Sequence, residues 1–171
     1  MTEHRLYLLR HAKSSWDDPQ LADHDRPLAP RGQRAVAALR KHLTALADGP
    51  DLVLCSSARR TTMTLAGIAA ALPAGVDTRI EDRLYAASAT QLLARLHDVP
   101  DEVGAVMLIG HNPGLEDLAE LLVASGDEDA REAMAAKFPT GALATLGVTG
   151  PWADLAPATA RLETFVVPRD L

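Results

Sequence analysis

Short apolar runs alternating with amphipathic stretches constrain this chain more than any other feature of it. Arg5-Leu6-Tyr7-Leu8-Leu9 has no helical spacing and reads as a buried strand, as does Asp51-Leu52-Val53-Leu54-Cys55. Val76 to Ile80 is a more polar third strand, and Gly104-Ala105-Val106-Met107-Leu108-Ile109 is the strongest of the set. Between them, Arg31 to Ala47 places Val36, Leu39, Leu43 and Leu46 at spacings of three and four, with arginines on the other side. Thr61 to Leu72 reads as a helix closed by Pro73 and Gly75, Thr90 to His97 turns Leu92, Leu93 and Leu96 inward, and Leu115 to Val123 follows the strongest strand. Gly126 to Lys137 is charged and partly helical in pattern, while Leu143 to Val148 and Leu162 to Val167 read as antiparallel closing strands. This alternation predicts an α/β fold: a three-layer α/β/α sandwich around a mostly parallel central sheet. No repeat, low-complexity tract or linker divides the chain, so residues 1–171 are expected to form one domain.

Composition agrees with that architecture and excludes several others. With 47% hydrophobic but only 4% aromatic residues, the chain favours helices packed on a sheet over a β-sandwich. The formal net charge of −6 argues against a general nucleic-acid surface, so any basic site must be a local concentration of arginine. Cys55 is the single cysteine, which leaves no intrachain disulfide and no cysteine-rich zinc site. The apolar run Leu6 to Leu9 is too short for a secretory signal, and no window approaches the ~18 apolar residues of a membrane span. A cytoplasmic protein with neither nucleic-acid nor membrane partners is the expectation.

In parallel α/β sheets the ligand crevice lies beyond the carboxyl ends of the strands. Here those ends carry Arg10-His11, Ser56-Ser57-Ala58-Arg59-Arg60, Glu81-Asp82-Arg83 and Gly110-His111-Asn112-Pro113-Gly114. Any one of these has an ordinary structural explanation, since a histidine after a strand usually serves a hydrogen bond and an arginine usually sits in solvent. Together they collect two imidazoles, several guanidinium groups and a carboxylate at one edge. Guanidinium groups hold phosphate oxygens through paired, permanently charged donors. A neutral imidazole attacks phosphorus when its other ring nitrogen is oriented by an acceptor. The set suits phosphoryl transfer without magnesium or any other cofactor.

Leu9-Arg10-His11-Ala12, Ser56-Ser57-Ala58-Arg59 and Ile109-Gly110-His111-Asn112-Pro113, in this order and spacing, resemble the histidine phosphatase superfamily, also called phosphoglycerate mutase-like. The stretch Arg10 to Gly32, the segment Leu84-Tyr85-Ala86-Ala87-Ser88 and Phe138-Pro139-Thr140-Gly141-Ala142 resemble its SixA-type phosphohistidine phosphatase branch. The resemblance implies His11 as the transiently phosphorylated nucleophile and Arg10, Arg59 and His111 as the phosphate pocket. It implies Asp82 as proton donor, with Glu81 one position away as second choice. Ser14 either contacts phosphate through its hydroxyl or stabilises the turn. Arg60 and Arg83 are expected to be structural or solvated. The chain departs from the mutase pattern at Lys13 and Asp17, where mutase-type members carry an acid and an amide; Asp17 is expected to point to Lys13 or Arg26. Asp23 to Leu28 reads as a lip over the crevice, with Asp25 and Arg26 bracing it. Three adjacent residues, Asp23, His24 and Asp25, do not converge easily on one ion, so no metal site is expected there.

The implied activity is hydrolysis through a covalent phosphohistidine intermediate, acting on a phosphorylated protein (a phosphohistidine) or on a small phosphorylated substrate. Most predicted connections are short, which leaves an open site and favours the protein substrate. A small-molecule phosphomonoesterase with the same pocket is the alternative, and a non-hydrolytic phosphate-recognition module is the alternative of another class.

Overall fold

A computed structural model describes residues 3–46 and 48–171. Its centre is a seven-stranded sheet of order β3-β2-β4-β1-β6-β7-β5. The strands are β1 (Glu3–Arg10), β2 (Leu52–Ser56), β3 (Asp77–Glu81), β4 (Ala105–Gly110), β5 (Val123–Gly126), β6 (Leu143–Thr149) and β7 (Ala160–Val166). Parallel ladders join β1 to β4, β2 to β4, β2 to β3 and β5 to β7, and only β6 runs against its neighbours β1 and β7. The expected mostly parallel sheet is therefore present, as is the antiparallel β6–β7 pair.

Side chains alternate across the pleat and build two cores. Leu6, Leu8, Leu54, Val106 and Leu108 join one core, which α3 (Ala89–His97) and α4 (Gly114–Leu122) cover with Leu92, Leu96, Leu115 and Leu118. Tyr7, Leu9, Val53, Cys55, Met107 and Ile109 join the other, under Val36 and Leu39 of α1 (Pro30–Thr44) and Leu65 and Ile68 of α2 (Arg59–Ile68). A fifth helix, α5 (Glu128–Ala136), follows β5 and buries Met134 against the first core. Strands buried on both faces explain why β1, β2 and β4 read as continuous apolar runs.

Helix ends differ from the sequence expectation in ways that matter below. The predicted end of the first helix, Ala47, lies outside the described residues; the last helical residue is Thr44, and Leu46, expected to face inward, is 41% exposed. The second helix begins at Arg59 rather than Thr61 and gives way to a 3-10 turn, Ala69–Ala71. Strand β5 was not anticipated, because Val123-Ala124-Ser125-Gly126 carries too little apolar pattern to announce an edge strand.

The order β2-β4-β1 places three parallel strand ends side by side, with Arg10 opposite Gly110 and Ile109 opposite Cys55. The His11 amide continues this contact by donating to the Gly110 carbonyl at 3.1 Å. Helix α4 can follow β4 this closely because Gly114 lies against the Ala87 carbonyl, where an added Cβ would sit 2.1 Å from the oxygen. Gly114→Ala is thus expected to destabilise the fold by about 2 kcal/mol through overpacking, read as a lower denaturation midpoint in urea. An unchanged midpoint would mean that α4 shifts freely.

Candidate active site

His11 follows β1 and is buried, with 6% of its surface exposed. Its Nδ1 lies 2.7 Å from the Ala12 carbonyl, which can only accept, so Nδ1 carries the proton and donates it. Nε2 is then the basic nitrogen with the free lone pair. The local backbone is fixed from α2: the Ala12 amide donates to Thr64 Oγ1, and that hydroxyl donates to the Arg60 carbonyl. Burial lowers the His11 pKa from 6.5 to about 4; the Ala12 carbonyl opposes the shift, while Arg60, Arg10 and Arg26 add to it. The ring is therefore neutral near pH 7.

His111, after β4, stands with its ring centroid 5.3 Å from that of His11. Its Nε2 is 2.8 Å from Ser56 Oγ at the end of β2. Ser56 Oγ already accepts from the Ala58 amide, so its own proton is available to His111 Nε2. That arrangement leaves Nδ1–H as a buried donor, and Nδ1 has no partner. Burial first, then the neighbouring His11 and Arg60, push the His111 pKa down to about 3.

Arg10 gives Nη1 to the Phe138 carbonyl at 3.1 Å and has a buried, unpartnered Nε. Asn112 Nδ2 shares that carbonyl at 2.9 Å, which ties the β4 turn to Arg10. The same segment is held from behind, because the Gly141 amide donates to the carbonyls of Arg10 and His11. Gly141 does so at φ +77°, a conformation open to glycine at little cost. Buried donors are seldom left unpaired. Two of them, Arg10 Nε and His111 Nδ1, on adjacent strand ends beside His11, mark a place for an oxygen-rich anion.

The second arginine of this cluster is Arg60, not Arg59. Arg59 is exposed, whereas Arg60 is buried and acts on both His11 and His111. The reason lies in the early start of α2. Arg60, Thr64 and Ile68, at i, i+4 and i+8, share its buried face, and Arg59 is rotated away from them. That periodicity was available in the sequence; reading residues 56–60 as a loop concealed it. Arg26 is a third guanidinium close enough to depress the His11 pKa.

Asp23 holds the two outer arginines. Its Oδ1 accepts from Arg26 Nη1 at 3.0 Å, its Oδ2 from Arg60 Nη2 at 3.0 Å, and its backbone carbonyl from Arg60 Nη1 at 2.7 Å. Tyr85 donates its hydroxyl to Asp23 Oδ2 and sets its ring edge-on to His111. The Tyr85 bond leads the list of forces that keep the Asp23 pKa near 2, followed among the favourable ones by Arg60. The lip is thus braced by Arg26, as expected, but its partner is Asp23, and Asp25 reaches only His24, at 3.5 Å. Arg26 also donates to Ser14 Oγ at 2.6 Å, tying the turn to the lip, and stacks on the Trp16 ring. Asp17 makes neither of its expected ion pairs; its amide bonds Ser15 Oγ.

The carboxylates proposed as proton donor fare differently. Glu81 accepts two hydrogen bonds from the buried Arg95 guanidinium, at 2.8 and 3.0 Å, and one from Arg83. Arg95 foremost holds its pKa near 2, so Glu81 is a structural anion and no acid near neutrality. Arg83 is structural, as anticipated. Asp82 is exposed at the start of a 3-10 turn (Asp82–Leu84), with no side-chain hydrogen bond or ion pair among the described residues. Neither carboxylate belongs to the bonded cluster around His11.

With this geometry in place, comparison with known proteins is decisive. The family model of the histidine phosphatase superfamily (branch 1) matches residues 6–102. The chain belongs to the histidine phosphatase superfamily. An uncharacterized protein of Mycobacterium tuberculosis is 41% identical over 163 residues, covering 94% of this chain and all of that protein. A solved structure of a proposed phosphohistidine phosphatase SixA from Nakamurella multipartitia is 33% identical, with a TM-score of 0.85 and 98% of each chain covered. Its proposed counterpart from Agrobacterium tumefaciens is 32% identical, with a TM-score of 0.81 over 96% of this chain and 98% of that one. The chain is accordingly a phosphatase of the SixA-type branch. No helix among the described residues is long and apolar enough to cross a membrane.

Two outcomes follow for this phosphatase. Arg60→Ala should lower kcat by roughly 10²–10³, as loss of one transition-state donor does, while Arg59→Ala stays within a few-fold of wild type in steady-state assays. The reverse ranking would return the pocket to Arg59. In nitrogen-detected NMR of the free enzyme, the rings of His11 and His111 should stay neutral from pH 7 down to pH 5. Because the unfolded chain takes up those protons near pH 6.5 and the native one only near 4 and 3, stability should decrease as the pH is lowered from 6.5 toward 4. Titration of either ring near 6.5 would contradict this.

Proposed function

We propose that this chain is a protein phosphohistidine phosphatase whose nucleophile is His11. The observation that carries the reading is the His11 Nδ1–H bond to the Ala12 carbonyl, which leaves Nε2 unprotonated beside Arg10, Arg60 and His111. In the first step Nε2 attacks phosphorus and the bond from phosphorus to the substrate nitrogen breaks. The departing imidazole nitrogen takes a proton from solvent or from Asp82. Arg10, Arg60 and the Nδ1–H of His111 bind the equatorial oxygens, where charge must be neutralised. In the second step water attacks the phosphorus held on His11, the phosphorus–Nε2 bond breaks, the surplus proton of the water passes to solvent, and inorganic phosphate leaves as Nε2 regains its lone pair.

Two features favour a phosphoramidate over an ester. The carboxylate bonded into the cluster, Asp23, is held ionised near pKa 2 and cannot protonate a poor alkoxide leaving group. A protonated imidazole, by contrast, leaves readily without a strong acid. The similarity to the two proteins named as SixA phosphohistidine phosphatases, over nearly the whole length of each chain, supports the same substrate class here.

The test is a side-by-side assay on a phosphohistidine protein, phosphoramidate and a panel of small phosphomonoesters, combined with rapid-quench labelling. We expect the first two to be hydrolysed well and the esters poorly. Label should appear on the protein, stable to base and lost in acid, and be absent in His11→Ala. Efficient ester hydrolysis with an untouched phosphohistidine protein would sink the substrate assignment. Absence of label in the wild type would sink the covalent one. Activity should also survive EDTA unchanged.

A further inference from the structure

Beside the active site lies a groove of about 540 Å³ between α1 and α5, bounded by the 137–140 segment and the C-terminal turn (Pro168–Asp170). Its floor is apolar, formed by Ala35 and Ala38 of α1, Ala136 of α5 and Phe165 of β7. Its rim carries Lys13, Arg31, Arg34 and Lys137. All four are exposed, and none forms a salt bridge among the described residues. The single carboxylate in the lining, Asp170, sits beside Arg169. In a protein of net charge −6, this is a concentration of free positive charge that neither folding nor the phosphate pocket uses.

The position is as informative as the charge. Lys13 is two residues from His11. Pro139 and Thr140, in the lining, belong to the segment whose Phe138 carbonyl holds Arg10 and whose Gly141 amide bonds the carbonyls of Arg10 and His11. The groove therefore adjoins the catalytic loop. His11 is buried, so a phosphohistidine that reaches it must be presented by a segment lying along the neighbouring surface. An apolar floor with a cationic rim fits an amphipathic helix whose apolar stripe is flanked by carboxylates.

We infer that the α1–α5 groove is the docking site for an acidic amphipathic helix of the phosphorylated protein substrate, steering its phosphohistidine toward His11. The inference rests on the function proposed above. Opposite charges at such a rim raise encounter and discriminate partners more than they add raw affinity. Ion pairs at this exposure are weak singly and are screened by salt.

The probes are two synthetic amphipathic peptides, each carrying one chemically installed phosphohistidine. One is flanked by glutamates and the other has every glutamate replaced by glutamine. At low ionic strength the wild-type enzyme should show roughly 5- to 10-fold higher kcat/KM for the acidic peptide, mostly through KM, as two or three rim pairs would give. The preference should vanish at 0.5 M salt and in the double variant Arg34→Glu/Lys137→Glu. Turnover of the glutamine peptide reports that the variant is folded. Equal kcat/KM for the two peptides in the wild type, or an undiminished preference in the variant, would overturn the docking site. So would a groove that responds to inorganic tripolyphosphate as a competitor but not to the acidic peptide, since the occupant would then be a small anion. If neither peptide is hydrolysed by the wild type, the proposed function fails instead, which is a different result.

Discussion

Three arginines crowd two imidazoles at the edge of this sheet, and such a concentration of buried positive charge would be unfavourable without a counter-ion inside the fold. Asp23 is that counter-ion. It binds Arg26 through one oxygen and Arg60 through the other, and it anchors Tyr85, whose ring lies against His111. Arg26, Arg60 and Tyr85 are thereby placed by a carboxylate that itself touches neither histidine through a hydrogen bond, while Arg10 is held by the Phe138 carbonyl and His111 by Ser56. The charge left over is still positive, because Arg10 has no such partner at its Nε. A phosphate dianion arriving here completes an electrostatic balance that the protein leaves open.

The same crowding explains the protonation state of His11. A histidine with its ordinary pKa would be partly charged at neutral pH and would lose its lone pair to a proton. Burial, reinforced by three guanidinium groups, keeps His11 neutral, and the Ala12 carbonyl decides which nitrogen holds the remaining hydrogen. Positive surroundings thus serve two ends at once. They suit an anion and they keep protons away from the ring of His11.

How much of this was legible beforehand can be argued from particular residues. His11 and His111 were readable because both follow continuous apolar strands, where a parallel sheet puts its ligands. Arg10 was readable for the same reason. Arg60 was passed over for Arg59, one position away, because helix α2 begins two residues earlier than its apolar pattern does and its first turn, wholly polar, carries no apolar mark of its buried side. Asp23 had only its spacing of three from Arg26 as a local signal: its other partners, Arg60 and Tyr85, are 37 and 62 residues away, and only the folded chain brings them together. Glu81 shows the converse, since a motif placed a carboxylate at the strand end and the Arg95 guanidinium on α3 claims it for structure. Local pattern locates strand ends well; it says little about which charges then find each other.

The carbonyl of Phe138 has a consequence that reaches beyond geometry. It receives Arg10 from 128 residues earlier in the chain and Asn112 from the β4 turn, and it follows directly on the helix α5 segment. A chain emerging from the ribosome therefore carries Arg10 and His11 almost from the outset, but the acceptor that orients Arg10 only once residue 138 has been made. The orientation of a side chain at the start of the sequence is thus a property of its late part, and no fragment that stops short of residue 138 can reproduce it.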